Sequence, residues 1–390
     1  MRIGRQLSVG TGLLCVFLTF GIPDGGSPFA PEARPPAEVR LGGQRVAEYT
    51  QGPVYRRFSW MTIELEGVPA GDLDRVMVVL EPRWRNLDTR NASSVEPLRA
   101  VFHPGDRERA RAVLHLGCDE DPMEVGPYRA AVYQARPGGF QRIAEQPFFV
   151  IFNALDPADR ASHHWRAEDY LSNELHIVQK SKEGEPQLYD WQLDIDRDRV
   201  FTLAIGGVAG SRHPGTAVQR VAWVAANEIK GFWPELDGVD RRSPDVARSG
   251  DDSWKPASVR SISQRLRRGD PRGQCFDYAA FSVALLRSVG LASTATSVMG
   301  PEEIEHPRAL DEQVSWNFHV WTEVFMDGNW RAMDLAYLDP VLRHRIRWKV
   351  YPGLQRADGP WFRRMIGDDS RVYRQRGSQI ADITKRYRGR

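Results

Sequence analysis

Apolar residues recur at Phe276, Ala279, Ala280, Val283, Leu286 and Val289. This is the i, i+3, i+4, i+7 spacing of a helix with one buried face. Gly290 follows the last periodic residue as a C′ stop, with Arg287 in the final turn. A second amphipathic helix is expected over 217–229, with Val218, Val221, Ala222, Ala225 and Ile229 inward. Elsewhere the pattern changes to strands. Residues 315–326 are aromatic and β-branched, Asp327-Gly328 is a hairpin turn, and 329–335 form the returning strand. Between 46 and 152, short strands are expected at 58–65, 76–80, 112–116, 128–134 and 148–152. Their Gly/Pro punctuation points to a β-sandwich, followed by a linker over 153–174.

The hairpin turn fixes which side chains can meet. A two-residue turn pairs Met326 with Asn329 and puts Trp321 opposite Asp334 and His319 opposite Ala336. His319, Trp321 and Asp334 then share a face. On such a diagonal the Cα atoms lie roughly 7–8 Å apart, which an imidazole and a carboxylate together can bridge. A three-residue loop would turn Asp334 to the other face.

Cys275 falls at the N-terminal tip of the first helix, where unpaired N–H groups and the helix dipole favour a thiolate. Taken alone, Cys275 reads equally well as a packed thiol, while His319 alone reads better as a satisfied core histidine and Asp334 alone as a turn or cap residue. Together they form the set that nucleophilic acyl transfer needs. A thiolate attacks a carbonyl, an imidazolium protonates the leaving amine, and a carboxylate fixes the ring's tautomer.

The stretches that carry this set resemble a known family. Gly273-Gln274-Cys275, with Ala279, Ala280 and the run 285–291, resembles the active-site helix of the transglutaminase superfamily. Residues 316–323 (Trp316-Asn317-Phe318-His319-Val320-Trp321-Thr322-Glu323) resemble the histidine strand of animal-type transglutaminases, and Trp330-Arg331-Ala332-Met333-Asp334 the aspartate strand. Residues 253–268, with Ser253-Trp254, resemble the segment preceding the cysteine. The resemblance implies an α+β fold, a papain-like core preceded by an immunoglobulin-like β-sandwich. It also implies a catalytic Cys275, His319 and Asp334, glutamine carboxamides of proteins or peptides as acyl donors, and lysine amines or water as acceptors. A secreted thiol protease or amidase and an inactive binding protein of the same fold are the alternatives. Gln274, Trp233, Trp254, Trp316 and Trp321 are the candidates for holding the oxyanion or walling the substrate. The family's oxyanion tryptophan would fall at Asp240–Arg242 here, so Trp233 is either displaced by an insertion or replaced by the Cys275 N–H and Gln274. Calcium activation is a family trait, and Asp194, Asp196 and Asp198, at alternate positions, are candidate ligands. A solvated strand face, with Arg197 and Arg199 for pairing, is the favoured account of them.

Composition refines the outline. Arg2 and Arg5 precede the apolar run 13–20 and a Gly/Pro-rich stretch. That is a secretory signal over 1–30, with an uncleaved anchor as rival, and it implies a secreted, periplasmic or extracellular protein. Of three cysteines, Cys118 and Cys275 remain after the signal, too few for a disulfide framework. No Cys/His cluster has metal-ligand spacing, and His163-His164 reads as a surface pair. Asn91-Ala92-Ser93 fits a glycosylation sequon. The domains expected are the sandwich over 40–152, the core over 153–345, and a basic extension over 346–390. Residues 341–390 hold fourteen Arg and Lys against four Asp, and the whole chain is only +2. This asymmetry suggests an anionic surface as partner rather than a specific nucleic acid. No other apolar run is long enough to span a bilayer.

Overall fold

A computed structural model describes residues 38–388 apart from 50, 69–71, 73–74, 85–97, 101–110, 118–121, 181–184, 229, 232–261, 263–271, 274, 308–312, 336–354, 357–369 and 377–378. The expected signal segment, Cys118 and the sequon lie outside these residues.

Nine strands come first: β1 (Glu38–Gly43), β2 (Arg45–Tyr49), β3 (Gly52–Arg56), β4 (Trp60–Glu66), β5 (Val76–Pro82), β6 (Leu98–Ala100), β7 (Arg111–His115), β8 (Gly126–Arg136) and β9 (Gly139–Ile151). They form a three-stranded sheet, β1-β4-β7, and a six-stranded one, β2-β3-β9-β8-β5-β6. In β4 the alternation is clear, because Met61, Ile63 and Leu65 are buried while Glu64 and Glu66 face solvent. These residues pack with Val39 and Leu41 of β1 against Leu80, Tyr128 and Phe148 of the larger sheet. The two sheets are thus the layers of a β-sandwich.

The second half starts with the hairpin β10 (Glu174–Lys180) and β11 (Pro186–Gln192). Helices α1 (Asp198–Val208) and α2 (Pro214–Glu228) follow, then the short parallel strands β12 (Lys230–Gly231) and β13 (Arg272–Gly273) and helix α3 (Cys275–Ser288). The remaining strands are β14 (Ser293–Pro307), β15 (Gln313–Met326), β16 (Asn329–Met333), β17 (Gln355–Arg356), β18 (Arg371–Arg376) and β19 (Gln379–Asp382), and the chain ends in helix α4 (Thr384–Arg388). These six strands form one sheet in the order β17-β16-β15-β14-β18-β19.

Two expectations change here. All of α3 is buried, not one face, because α1 and α2 pack on it as well as the sheet. Its polar residues are accommodated accordingly. Arg287, at the last turn, donates to the carbonyls of Ser293, Ser172 and Glu174, although burial lowers its pKa to about 9. The residues beyond 346 are also more than a basic extension. β18 pairs with β14 inside the sheet, with Val372 fully buried.

One core joins the two halves, running from Val54, Phe149 and Ile151 of the sandwich to α1, α2 and α3. A buried ion pair reinforces the junction. Arg57, just after β3, donates from Nε and Nη2 to the two carboxylate oxygens of Asp159, and from Nη1 to the Arg212 carbonyl. Asp159 also accepts the Asn153 N–H at 2.8 Å. Both side chains are 1% exposed.

Candidate active site

The β15–β16 hairpin has the register that a two-residue turn requires. Met326 pairs with Asn329 and Thr322 with Met333. Asp327 and Gly328 carry φ of 52° and 72°, the left-handed pair of a type I′ turn. Asp334, one residue past β16, therefore comes up beside His319. Its Oδ2 lies 2.7 Å from His319 Nε2, and the side chains are 3% and 1% exposed.

Cys275 opens α3 as a free, buried thiol. Its sulfur hydrogen-bonds the His319 ring. Asp334 occupies Nε2, which leaves Nδ1 for the sulfur. Thr322 Oγ1 donates to the Ala279 carbonyl at 3.4 Å and ties strand to helix. Burial opposes a charged imidazole at His319. The charge and hydrogen bond of Asp334, joined by those of the Cys275 sulfur, override it and push the pKa up to about 10. The structure thus brings the thiol, the imidazole and the carboxylate into one chain of hydrogen bonds, the arrangement a thiolate–imidazolium pair requires.

The other sequence candidates separate. Gln274, Trp233 and Trp254 lie outside the described residues. Trp316 belongs to β15, paired with Ile304. Trp321 does not supply an oxyanion donor. It is 1% exposed, and its indole N–H goes to the Tyr387 hydroxyl at 3.0 Å. It supports His319 instead, with ring centroids 5.9 Å apart.

The three aspartates do not share a strand face. Asp194 adopts φ 53° and accepts the Arg197 N–H in a turn. Asp196 takes the Asn173 side chain at 3.1 Å, and Asp198 begins α1. They do not fit a calcium site. Among the described residues no group of three His, Cys, Asp or Glu side chains is placed to hold a metal ion. His164 is not on the surface but packs among Trp165, Tyr170, Phe325 and Trp330.

Residues near the end of the chain complete the surroundings, and no local pattern announced them. The Tyr387 hydroxyl donates to Glu323 Oε1 at 2.5 Å. Glu323 is fully buried and pairs with Arg374 at 2.9 Å and Arg386 at 3.1 Å. Burial would raise its pKa, but the charges of Arg386 and Arg374 and the hydrogen bonds of Tyr387 and Thr296 lower it.

Residues 246–335 match the transglutaminase-like superfamily model. Rabbit (Oryctolagus cuniculus) protein-glutamine gamma-glutamyltransferase K is 27% identical over 223 residues, covering 48% of this chain and 26% of the relative. The human protein of that name matches to the same extent. The chain thus spans about a quarter of the length of these curated relatives. The crystal structure of red sea bream transglutaminase superposes with a TM-score of 0.55 at 15% identity, covering 86% of this chain and 61% of that one. At that identity the likeness speaks for the fold. Among the described residues no helix is long and apolar enough to cross a membrane. Residues 246–335 are thus similar to the transglutaminase-like superfamily, and the fold that holds them is similar to that of a transglutaminase.

Proposed function

We propose that this chain is a thiol-dependent acyltransferase, with Cys275 as nucleophile, His319 as acid and base, and Asp334 orienting the ring. The observation that carries this reading is the buried Cys275–His319–Asp334 hydrogen-bond chain. The acyl donor is the carboxamide of a protein glutamine, as the curated relative's name states for that protein. The Cys275 thiolate attacks the carboxamide carbon. The oxyanion is assigned to the N-terminal N–H groups of α3, which have no intrahelical acceptor, together with Gln274. Imidazolium gives its proton to the departing nitrogen, ammonia leaves, and a thioester remains. A lysine amine then attacks the thioester, its proton passes to the neutral imidazole, and the sulfur leaves as thiolate. Water in place of the amine turns the glutamine into a glutamate.

Trp233, Trp254 and Trp316 are assigned to the substrate walls by the superfamily resemblance. The basic and apolar N-terminal run supports export, which would place the substrates outside the cytoplasm. The test is incorporation of a labelled primary amine into casein, with ammonia release measured in parallel. Transfer requires amine-dependent label at the glutamines. Ammonia without label assigns the chain to hydrolysis, and peptide fragments without either assign it to proteolysis. Any such activity that persists in Cys275→Ala overturns the role of the thiol.

A further inference from the structure

We infer that Tyr387, on the terminal helix α4, is a positioning residue for the His319 imidazole, acting through Trp321. This rests on the reading of Cys275 and His319 given above. The geometry is a relay from the chain's end to the site. Glu323, fully buried, accepts the Tyr387 hydroxyl, and Tyr387 Oη in turn accepts the Trp321 indole N–H. The three polar groups fit in one direction only. A carboxylate has no proton to give, so the phenol must donate to it and can then only accept from the indole. Burial and the nearby Glu323 charge keep Tyr387 protonated, its pKa raised well above the usual value.

The indole is therefore held through its N–H while it packs against two rings. Tyr387 lies 5.4 Å away at 70°, and His319 lies 5.9 Å away at 34°. Trp321 and Tyr387 are 1% and 0% exposed, so neither ring has room to swing. On the far side, Arg374 and Arg386 hold Glu323, and Arg374 also lies 4.6 Å from the Trp330 ring centroid. Both arginines that hold Glu323 come from this end of the chain, Arg374 from β18 and Arg386 from α4. The last strands and helix thereby act as a brace for the histidine strand. Among the described residues, the groups facing His319 include Asp334, Cys275 and Trp321. Of these only Trp321 has no charge to contribute, so its part is orientation.

A small rotation of an acid–base group costs a large factor in rate, about 100-fold for a displacement of 1 Å. Tyr387→Phe keeps the ring and deletes one oxygen. It leaves the indole N–H and Glu323 Oε1 each without this partner. The readout is the rate of Cys275 alkylation by iodoacetamide across pH 4–9, on the full chain, for wild type, Tyr387→Phe, Trp321→Phe and the double variant. His319→Ala serves as reference.

In wild type the thiolate–imidazolium pair should hold alkylation fast well below neutral pH, and His319→Ala should abolish that low-pH plateau. Tyr387→Phe should move the low-pH limb upward by about one unit, a tenfold loss of rate on that limb. Trp321→Phe should do the same, and the double variant should be no worse than either, because both cut one relay. A Tyr387→Phe profile that superposes on wild type overturns the inference while leaving the nucleophile in place. So does a double variant whose effects add. A wild-type profile that His319→Ala leaves unaltered overturns the thiolate–imidazolium reading and this inference with it. Should Tyr387→Phe not fold, the Trp321→Phe profile decides the matter by the same comparison with wild type, since it cuts the same hydrogen bond from the donor side while retaining an aromatic ring.

Discussion

Asp159→Asn should be among the most destabilising single-atom changes in the chain. Asp159 and Arg57 are each 1% exposed. The carboxylate accepts three N–H groups: Nε at 2.6 Å and Nη2 from Arg57, and the backbone of Asn153 at 2.8 Å. An amide of the same shape has one oxygen and one NH2. Whichever way it turns, a donor faces the guanidinium, and in one orientation it also faces the Asn153 N–H. The guanidinium also loses its countercharge in a site without water to replace it. Breaking a buried pair in this way costs about 3–5 kcal/mol. For a domain of this size that corresponds to a fall in melting temperature of roughly 10 °C. Urea titration followed by circular dichroism measures the loss directly. The double variant Arg57→Met/Asp159→Leu, which removes both charges, should recover much of it. A cost under about 1 kcal/mol for Asp159→Asn, the scale of a surface pair, or a double variant less stable than both singles would show that the pair does not behave as a buried one.

Other expectations follow from the same contacts. Asp334→Asn should lower kcat by about 10³–10⁴-fold with KM little changed, because the imidazolium loses its stabilising charge and the ring its tautomer; steady-state kinetics with a glutamine peptide would show this, and a loss confined to KM would contradict it. The raised His319 pKa makes stability depend on pH. Because the folded value, about 10, exceeds the ordinary 6.5, the contribution is fully present below pH 6.5 and is lost as pH rises toward 10. Melting curves of wild type and His319→Gln should therefore converge over that window, and a constant gap would argue against it. Gly290→Ala should destabilise by about 2 kcal/mol or more, because φ is +82° and the new Cβ would sit 2.2 Å from the Phe152 carbonyl oxygen; a denaturation midpoint equal to wild type would contradict the cap geometry.

The hairpin and helix around the thiol were legible because each rests on local rules. Asp327-Gly328 selects a turn, the turn selects a register, and the register sets Asp334 against His319. Gly290 and the apolar spacing bound α3 in the same way. The five expected sandwich strands correspond to β4, β5, β7, β8 and β9, whereas β1 to β3 and β6 went unread because their apolar runs are short. The expectation over 194–198 failed because alternation alone cannot show a backbone reversal. Asp194 turns left-handed, and the chain enters α1 where a strand was read. The terminal brace was hidden for a different reason. Arg374, Arg386 and Tyr387 look like a solvated basic tail until Glu323, more than fifty residues earlier, is placed beneath them. Burial of His164 in an aromatic cluster has the same long-range origin.

The place of β18 next to β14 has a consequence for biogenesis. Cys275 leaves the ribosome more than a hundred residues ahead of Tyr387. Domains assemble from the N-terminus as they are made, so the sandwich and α3 can consolidate while the seat of Glu323 is still vacant. From the synthesis of Cys275 to that of Tyr387, a nascent chain thus carries its sulfur without a finished scaffold behind the imidazole. If Cys275 acts as proposed, its arming would await residues 370–388, which would guard against stray reaction with neighbouring proteins during synthesis.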